Sequence, residues 1–90
     1  MFQVKIKRRA LRKLQKLNQK RRERIRKIVL ILKTAPIPFR RTDVNKLKGY
    51  DNIYRIRVGN LRIVYEVFWF ERTIIIHYIG PREKAYERKI

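Results

Sequence analysis

Tyr54-Arg55-Ile56-Arg57-Val58-Gly59-Asn60-Leu61-Arg62-Ile63-Val64-Tyr65 is the stretch on which the rest of the chain depends. Two alternating runs flank Gly59-Asn60, a two-residue turn of the kind that closes a hairpin. Such a turn sets Val58 against Leu61 and Arg57 against Arg62, and directly opposed residues share a face of the sheet. One face is then Tyr54, Ile56, Val58, Leu61, Ile63, Tyr65 and Val67, an apolar surface that predicts a core. The other face carries Arg55, Arg57 and Arg62, gathered near the turn. Opposed like charges destabilise a sheet by roughly a few tenths of a kcal/mol. A hairpin selected only for solubility would alternate its signs, so this one suits a polyanion.

Downstream, the second hairpin strand is expected to continue to about Phe70. Glu71-Arg72 reads as a two-residue turn into a last strand over residues 73–79. That loop length predicts Trp69 opposite Ile74, Val67 opposite Ile76 and Tyr65 opposite Tyr78, all on the core face. The same register puts His77 beside Glu66 on the opposite face, leaves Phe68, Ile75 and Ile79 with the arginines, and brings Arg82 next to Leu61 and Arg62. Upstream, residues 35–48 form a loop with a short extended piece. Leu47 is expected to plug into the core while Lys46 and Lys48 face out, and residues 49–52 turn into the hairpin.

The N-terminal part changes period twice. Phe2, Val4 and Ile6 alternate with polar residues and give a short strand. Ala10, Leu11, Leu14 and Leu17 then make a helical stripe. Asn18-Gln19 breaks it, and a second helix runs over about 19–33 with Ile25, Ile28, Val29 and Leu32 on one side. Pro36 ends it, because proline disfavours helix in the residue before it. One strand, a two-helix hairpin and an antiparallel three-stranded meander make an α+β fold, with both helices packed on one face of the sheet.

Ninety residues make a single domain, 1–90, with a small core. A hydrophobic share of 44% excludes a disordered basic tail. Lys and Arg number 26 against 7 acids, a net charge of +19, which draws nucleic acid, an anionic surface or an acidic protein. Between Lys5 and Lys27 the one acid is Glu23. That run is either a solvated helix face or a broad phosphate-facing surface that positions without choosing sequence. Cysteine is absent, which removes disulfides and cysteine-based metal sites or nucleophiles. No metal or cofactor is expected. No run approaches the roughly 18 apolar residues of a membrane span, the helices' apolar stripes are too narrow for a membrane surface, and no signal-peptide pattern opens the chain. The expected location is cytoplasmic.

The element order, with Lys46-Leu47-Lys48-Gly49, Tyr54-Arg55-Ile56-Arg57, Leu61-Arg62-Ile63-Val64-Tyr65, Gly80-Pro81-Arg82 and Tyr86, resembles the RelE toxins of the RelE/ParE superfamily of toxin–antitoxin systems. The likeness runs nearly end to end. It rests on the order and spacing of these motifs together, since none is diagnostic alone. The resemblance implies a ribosome-dependent endoribonuclease, an mRNA interferase that enters the ribosomal A site, cuts messenger RNA and inhibits translation. It implies an acidic, RelB-like antitoxin that wraps the toxin in a hetero-oligomer. It places the family's active-site basic pair on Arg55 and Arg57, its transition-state arginines on Arg62 and Arg82, and its C-terminal tyrosine on Tyr86. The family often has lysine where this chain has Arg55 and Arg57. Arginine effectively cannot give up its proton, so the substitution leaves the general base open.

RNA supplies its own nucleophile, the 2′-hydroxyl beside the scissile phosphate. The enzyme must align it, help remove its proton, stabilise charge on the phosphoryl oxygens and protonate the leaving 5′-oxygen. With one histidine and few acids, catalysis here must lean on charge stabilisation. Arg62 and Arg82 suit bidentate phosphate contacts. Arg57 suits the same role or orients the 2′-hydroxyl, and Tyr86 suits stacking or proton donation. Arg55, Lys46, Lys48 and Lys84 are the nearby RNA-binding candidates, and the three lysines are candidate bases. The plain alternative for each arginine is a solvated charge, and for Tyr86 a packing residue. His77 reads better as a structural partner of Glu66 than as a base. Two other functions stay open: a ParE-like toxin that blocks a topoisomerase without chemistry, and a structural RNA- or ribosome-binding protein.

Overall fold

The computed structural model describes residues 1–81. The elements run β1 (Gln3–Ile6), α1 (Arg8–Lys16), α2 (Gln19–Thr34), β2 (Asp43–Lys46), β3 (Ile53–Val58), β4 (Leu61–Phe68) and β5 (Thr73–Gly80). The five strands form one sheet in the order β1-β5-β4-β3-β2. The α+β order read from the sequence is present. The short extended piece pairs as a strand of its own, β2, so the meander has one strand more than expected. β1 adds to the far side of β5 in parallel, Gln3 beside Thr73 and Ile6 beside Ile76.

Both helices cover one face. Ala10, Ile25 and Leu32 pack there against Ile56, Leu61, Ile63, Tyr65, Val67, Ile74, Ile76 and Ile79, all buried. Ile28 and Val29 join them at helical spacing. Leu11 does not, and is 39% exposed. Nine residues of helix bury a narrow stripe, and Ala10 and Leu14 already fill it. Asn18 caps α2, its side-chain oxygen accepting from the Arg21 amide at 2.9 Å. The first turn of α2 holds Lys20, Arg21 and Arg22 with no acid. Cations at that end oppose the helix dipole. Their placement therefore costs helix stability and points to a role at the surface.

The β3–β4 hairpin has the expected register, with Val58 opposite Leu61 and Arg57 opposite Arg62. Gly59 takes a φ of 61°, which a residue with a side chain rarely adopts. The β4–β5 register differs from the expected one. Phe68 pairs with Thr73, so residues 69–72 form a four-residue loop, closed by Arg72 at a φ of 49°. Trp69 sits in that loop, edge-on to Phe2 at 5.7 Å, rather than opposite Ile74. Val67 faces Ile74 and Tyr65 faces Ile76.

A second irregularity follows. The pairing steps from Tyr65–Ile76 to Val64–Tyr78, leaving His77 as an extra residue on β5. A bulge of this kind reverses which side chains face which way beyond it. Tyr78 therefore leaves the expected core face and packs with Leu47, Ile53, Val64 and Tyr50 on the outer face, the one turned away from the helices. Ile79, expected beside the arginines, enters the core at 2% exposed. Leu47 is buried as expected, but in this outer cluster rather than under the helices.

Candidate functional site

The outer face of the meander is built in rows. Opposite Arg57 stand Asp43 on β2 and Arg62 on β4, and opposite Arg62 stands Gly80 on β5. The next row is Asn45, Arg55, Val64 and Tyr78. Two arginines thus meet directly across the hairpin with a third one row away. The alternation of β3 forces this, because Ile56 and Val58 between the arginines face the core.

Arg57 is exposed. Arg62 is half-buried, and its guanidinium folds back over the turn, Nη1 donating to the Gly59 carbonyl at 3.4 Å and the Leu61 carbonyl at 3.2 Å. A guanidinium is planar and carries five donors, a geometry that matches phosphate oxygens. Arg55 is half-buried between Val64 and Asn45. Lys46 is exposed at the end of β2, opposite Tyr54, and Lys48 is exposed just beyond it. The two lysines lie toward the end of β3 away from the Gly59-Asn60 turn. Arg57 and Arg62, by contrast, adjoin that turn.

Arg82, Lys84 and Tyr86 fall outside the described residues. β5 ends at Gly80, level with Arg62. The expected step that set Arg82 beside Leu61 depended on the register that the bulge replaces.

Two further features escaped sequence reasoning. Arg21 and Arg24 of α2 line a cavity of about 150 Å³ with Val58, Gly59, Asn60 and Leu61, which adds two cations beside the arginine-bearing turn. Their local signal was only the basic run, since α2 and the hairpin meet through the fold. The second is Tyr78, which only the bulge turns outward. His77 does pair with Glu66, Nε2 to Oε1 at 2.8 Å, and both side chains are largely shielded. Behind the site, the buried Tyr65 hydroxyl donates to the Pro36 carbonyl at 2.8 Å and its ring stacks on Tyr54 at 5.8 Å. Burial, and secondarily Tyr54, raises the Tyr65 phenol well above its usual range. Among the described residues, no group of three or more His, Cys, Asp or Glu side chains is placed to hold a metal ion. No described helix is long and apolar enough to cross a membrane.

Residues 4–86 match the family model described as the ParE toxin of a type II toxin–antitoxin system, parDE. A relative in Methanocaldococcus jannaschii that carries the name toxin RelE1 is 41% identical over 86 residues, 96% of each chain. The archaeal RelE–RelB complex of Pyrococcus horikoshii contains a chain that superposes with a TM-score of 0.83 at 34% identity, over 93% of this chain and 98% of that one. A chain of the intact Escherichia coli RelBE complex superposes with a TM-score of 0.78 at 25% identity, over 92% and 99%.

Proposed function

From a chain that belongs to the RelE/ParE superfamily as a RelE-type toxin of a type II toxin–antitoxin system, we infer a ribosome-dependent endoribonuclease that cleaves messenger RNA in the A site and so inhibits translation. The observation that carries this reading is the Arg57–Arg62 pair on the outer face of the hairpin. Two opposed cations weaken a sheet unless an anion lies between them, and a scissile phosphodiester is such an anion.

In this mechanism the RNA 2′-oxygen attacks the adjacent phosphorus. The bond from phosphorus to the 5′-oxygen breaks, leaving a cyclic phosphate and a 5′-hydroxyl. Arg62 holds the phosphoryl oxygens as their charge grows, and Arg57 shares that load or orients the 2′-hydroxyl. Removing one such donor from an electrostatic site typically costs roughly 100- to 1000-fold in rate. Arg82 as a second transition-state arginine and Tyr86 as stacking group or proton donor rest on the family resemblance. Arg55, Lys46, Lys48 and Lys84 contribute the surrounding phosphate contacts. Lys46, Lys48 and Lys84 are the candidates for accepting the 2′-hydroxyl proton. The ribosome shapes the message, which compensates for the lack of a dedicated acid–base pair.

The partner that restrains this activity is an acidic, RelB-like antitoxin. The complexes of the Pyrococcus and E. coli relatives support it, as do a net charge of +19 and exposed apolar side chains at Leu30, Phe39, Trp69 and Phe70.

The test is cleavage of a translated message, mapped by primer extension, with wild-type protein and Arg62→Ala in parallel. Cuts at the A-site codon that require ribosomes and vanish in the variant are the expected result. The ParE description of the matching model favours a second reading, a topoisomerase-blocking toxin without chemistry. Folded, growth-arresting protein that leaves messages intact and inhibits a topoisomerase would establish that reading instead.

A further inference from the structure

The row that carries the arginine pair has an acid at one end. Asp43 of β2 is the register partner of Arg57, and Gly80 of β5 is that of Arg62. Val44 packs with the core under the helices, so the alternation of β2 puts Asp43 and Asn45 on the outer face with the arginines. Asp43 and Arg57 are both exposed, and neither is in an ion pair with a described residue. The Asn45 side-chain amide donates to Oδ1 of Asp43 at 3.4 Å. That long contact orients the carboxylate and takes up little of its capacity, since an ionised carboxylate offers about four acceptor sites.

An exposed acid beside two arginines repels the polyanion that they attract. Charge on an edge strand discourages further pairing, but lysine does this too without opposing RNA, and the chain has 26 basic residues. What a carboxylate adds is an ionised proton acceptor at neutral pH. Its place in the row suits that use. Neighbouring strands lie about 4.8 Å apart, so Asp43, Arg57, Arg62 and Gly80 follow one another at that step. With the scissile phosphate between Arg57 and Arg62, one side of the phosphorus faces β2 and the other faces β5. The attacking and leaving oxygens are roughly in line through phosphorus, so the group that deprotonates the 2′-hydroxyl stands opposite the 5′-oxygen. Asp43 occupies the β2 side of this row, whereas Lys46 lies opposite Tyr54, toward the other end of β3.

We propose that Asp43 is the general base that takes the proton of the RNA 2′-hydroxyl. The inference rests on the endoribonuclease reading and names a group for the step which that reading left open. As the 2′-oxygen bonds to phosphorus, its proton passes to a carboxylate oxygen of Asp43. The bond from phosphorus to the 5′-oxygen breaks, and that oxygen takes a proton from water. Asp43 returns its proton to the hydroxide so formed, and no net proton is consumed. The charged groups that face Asp43 are Arg57 across the strand pair and Arg62 one strand further. β2 is the edge of the sheet, with no described strand on its other side.

The experiment follows single-turnover cleavage of a message on programmed ribosomes, with saturating full-length protein, from about pH 6 to about pH 8. An aspartate is ionised throughout that range, so the wild-type rate should be nearly flat. Asp43→Asn should be about 100-fold slower at neutral pH and should gain roughly tenfold per pH unit, because hydroxide must then remove the proton. Asp43→Glu should keep the flat profile at a lower rate. Asp43→Asn should bind uncleavable, 2′-O-methylated RNA at least as tightly as wild type, since a repelling charge is gone. Circular dichroism confirms that the variants fold. An Asp43→Asn rate equal to wild type, or parallel pH profiles for the two, would overturn the proposal. So would a wild-type rate that itself climbs roughly tenfold per pH unit, which would return the step to a lysine. Wild-type protein that leaves messages intact would sink the endoribonuclease reading, whereas cleavage untouched by Asp43→Asn would sink the base assignment alone.

Discussion

Arg57 and Arg62 stand directly opposite each other across β3 and β4, with Asp43 completing the row on one side and Gly80 on the other. Arg62→Ala is therefore expected to separate stability from activity. Cleavage of translated messages should fall roughly 100-fold or more, while the urea midpoint stays level or rises by the equivalent of a few tenths of a kcal/mol as the repulsion is relieved. Parallel loss of folding would remove the argument that this pair is held for an anion.

The basic faces of α1 and α2 predict steep salt sensitivity. Ribosome binding by wild-type protein should weaken linearly on a log–log plot against salt, with a slope that counts displaced counterions. Neutralising Arg21 and Arg24, which flank the hairpin turn, should shallow that slope by about one to two units. A slope near zero in the wild type would show that these helices do not meet ribosomal RNA.

Tyr65 predicts an alkaline limit to stability. Its buried phenol holds its proton to higher pH than in the unfolded chain, so above about pH 10 the unfolded state binds fewer protons and stability falls. Below that range the Tyr65 contribution is fully present. Tyr65→Phe loses the bond to the Pro36 carbonyl, about 1 kcal/mol at neutral pH, but should lose less between pH 10 and 11. Urea midpoints of the two proteins should converge as pH rises, and parallel curves would contradict the assignment.

Gly80 and Tyr78 should act as a coupled pair. Gly80→Ala brings a methyl group against the Tyr78 ring, an overpacking that costs about 1–3 kcal/mol. In a Tyr78→Leu background most of that penalty should disappear, because the ring atoms it meets are gone. Denaturation of the four proteins of the cycle gives the coupling directly, and strict additivity would place the ring elsewhere.

The β3–β4 hairpin was legible in the sequence because Gly59-Asn60 names both the turn and its length, and that length fixes every facing pair. The helices were legible from Asn18, Pro36 and the apolar spacing. β5 was not, for two local reasons. Its loop contains no glycine, and Arg72 supplies the positive φ instead, so the loop length gave no sequence signal. The bulge at His77 directly follows the unbroken apolar run Ile74-Ile75-Ile76, where alternation carries no phase. Yet the His77–Glu66 contact came out as expected, because a bulge residue can still lean toward the face it was assigned. β1 was legible as a strand from the alternation of Phe2, Val4 and Ile6, but its partner β5 lies far along the chain, and β2 was read only as an extended piece because its pairing with β3 has no turn signal as clear as Gly59-Asn60. The hairpin arginines were therefore placed opposite each other from sequence, while the outward turn of Tyr78 required the bulge to be seen.

The parallel pairing of Gln3 with Thr73 makes β1 wait for β5, the strand described last along the chain. Contacts this distant in the chain form late. A growing polypeptide displays its basic helices early, but it cannot close the sheet edge that sets β5, and with it the Arg62–Gly80 neighbourhood, until β5 itself has been made. For a toxin of the kind proposed, that order of assembly withholds the arginine neighbourhood until β5 has emerged and folded.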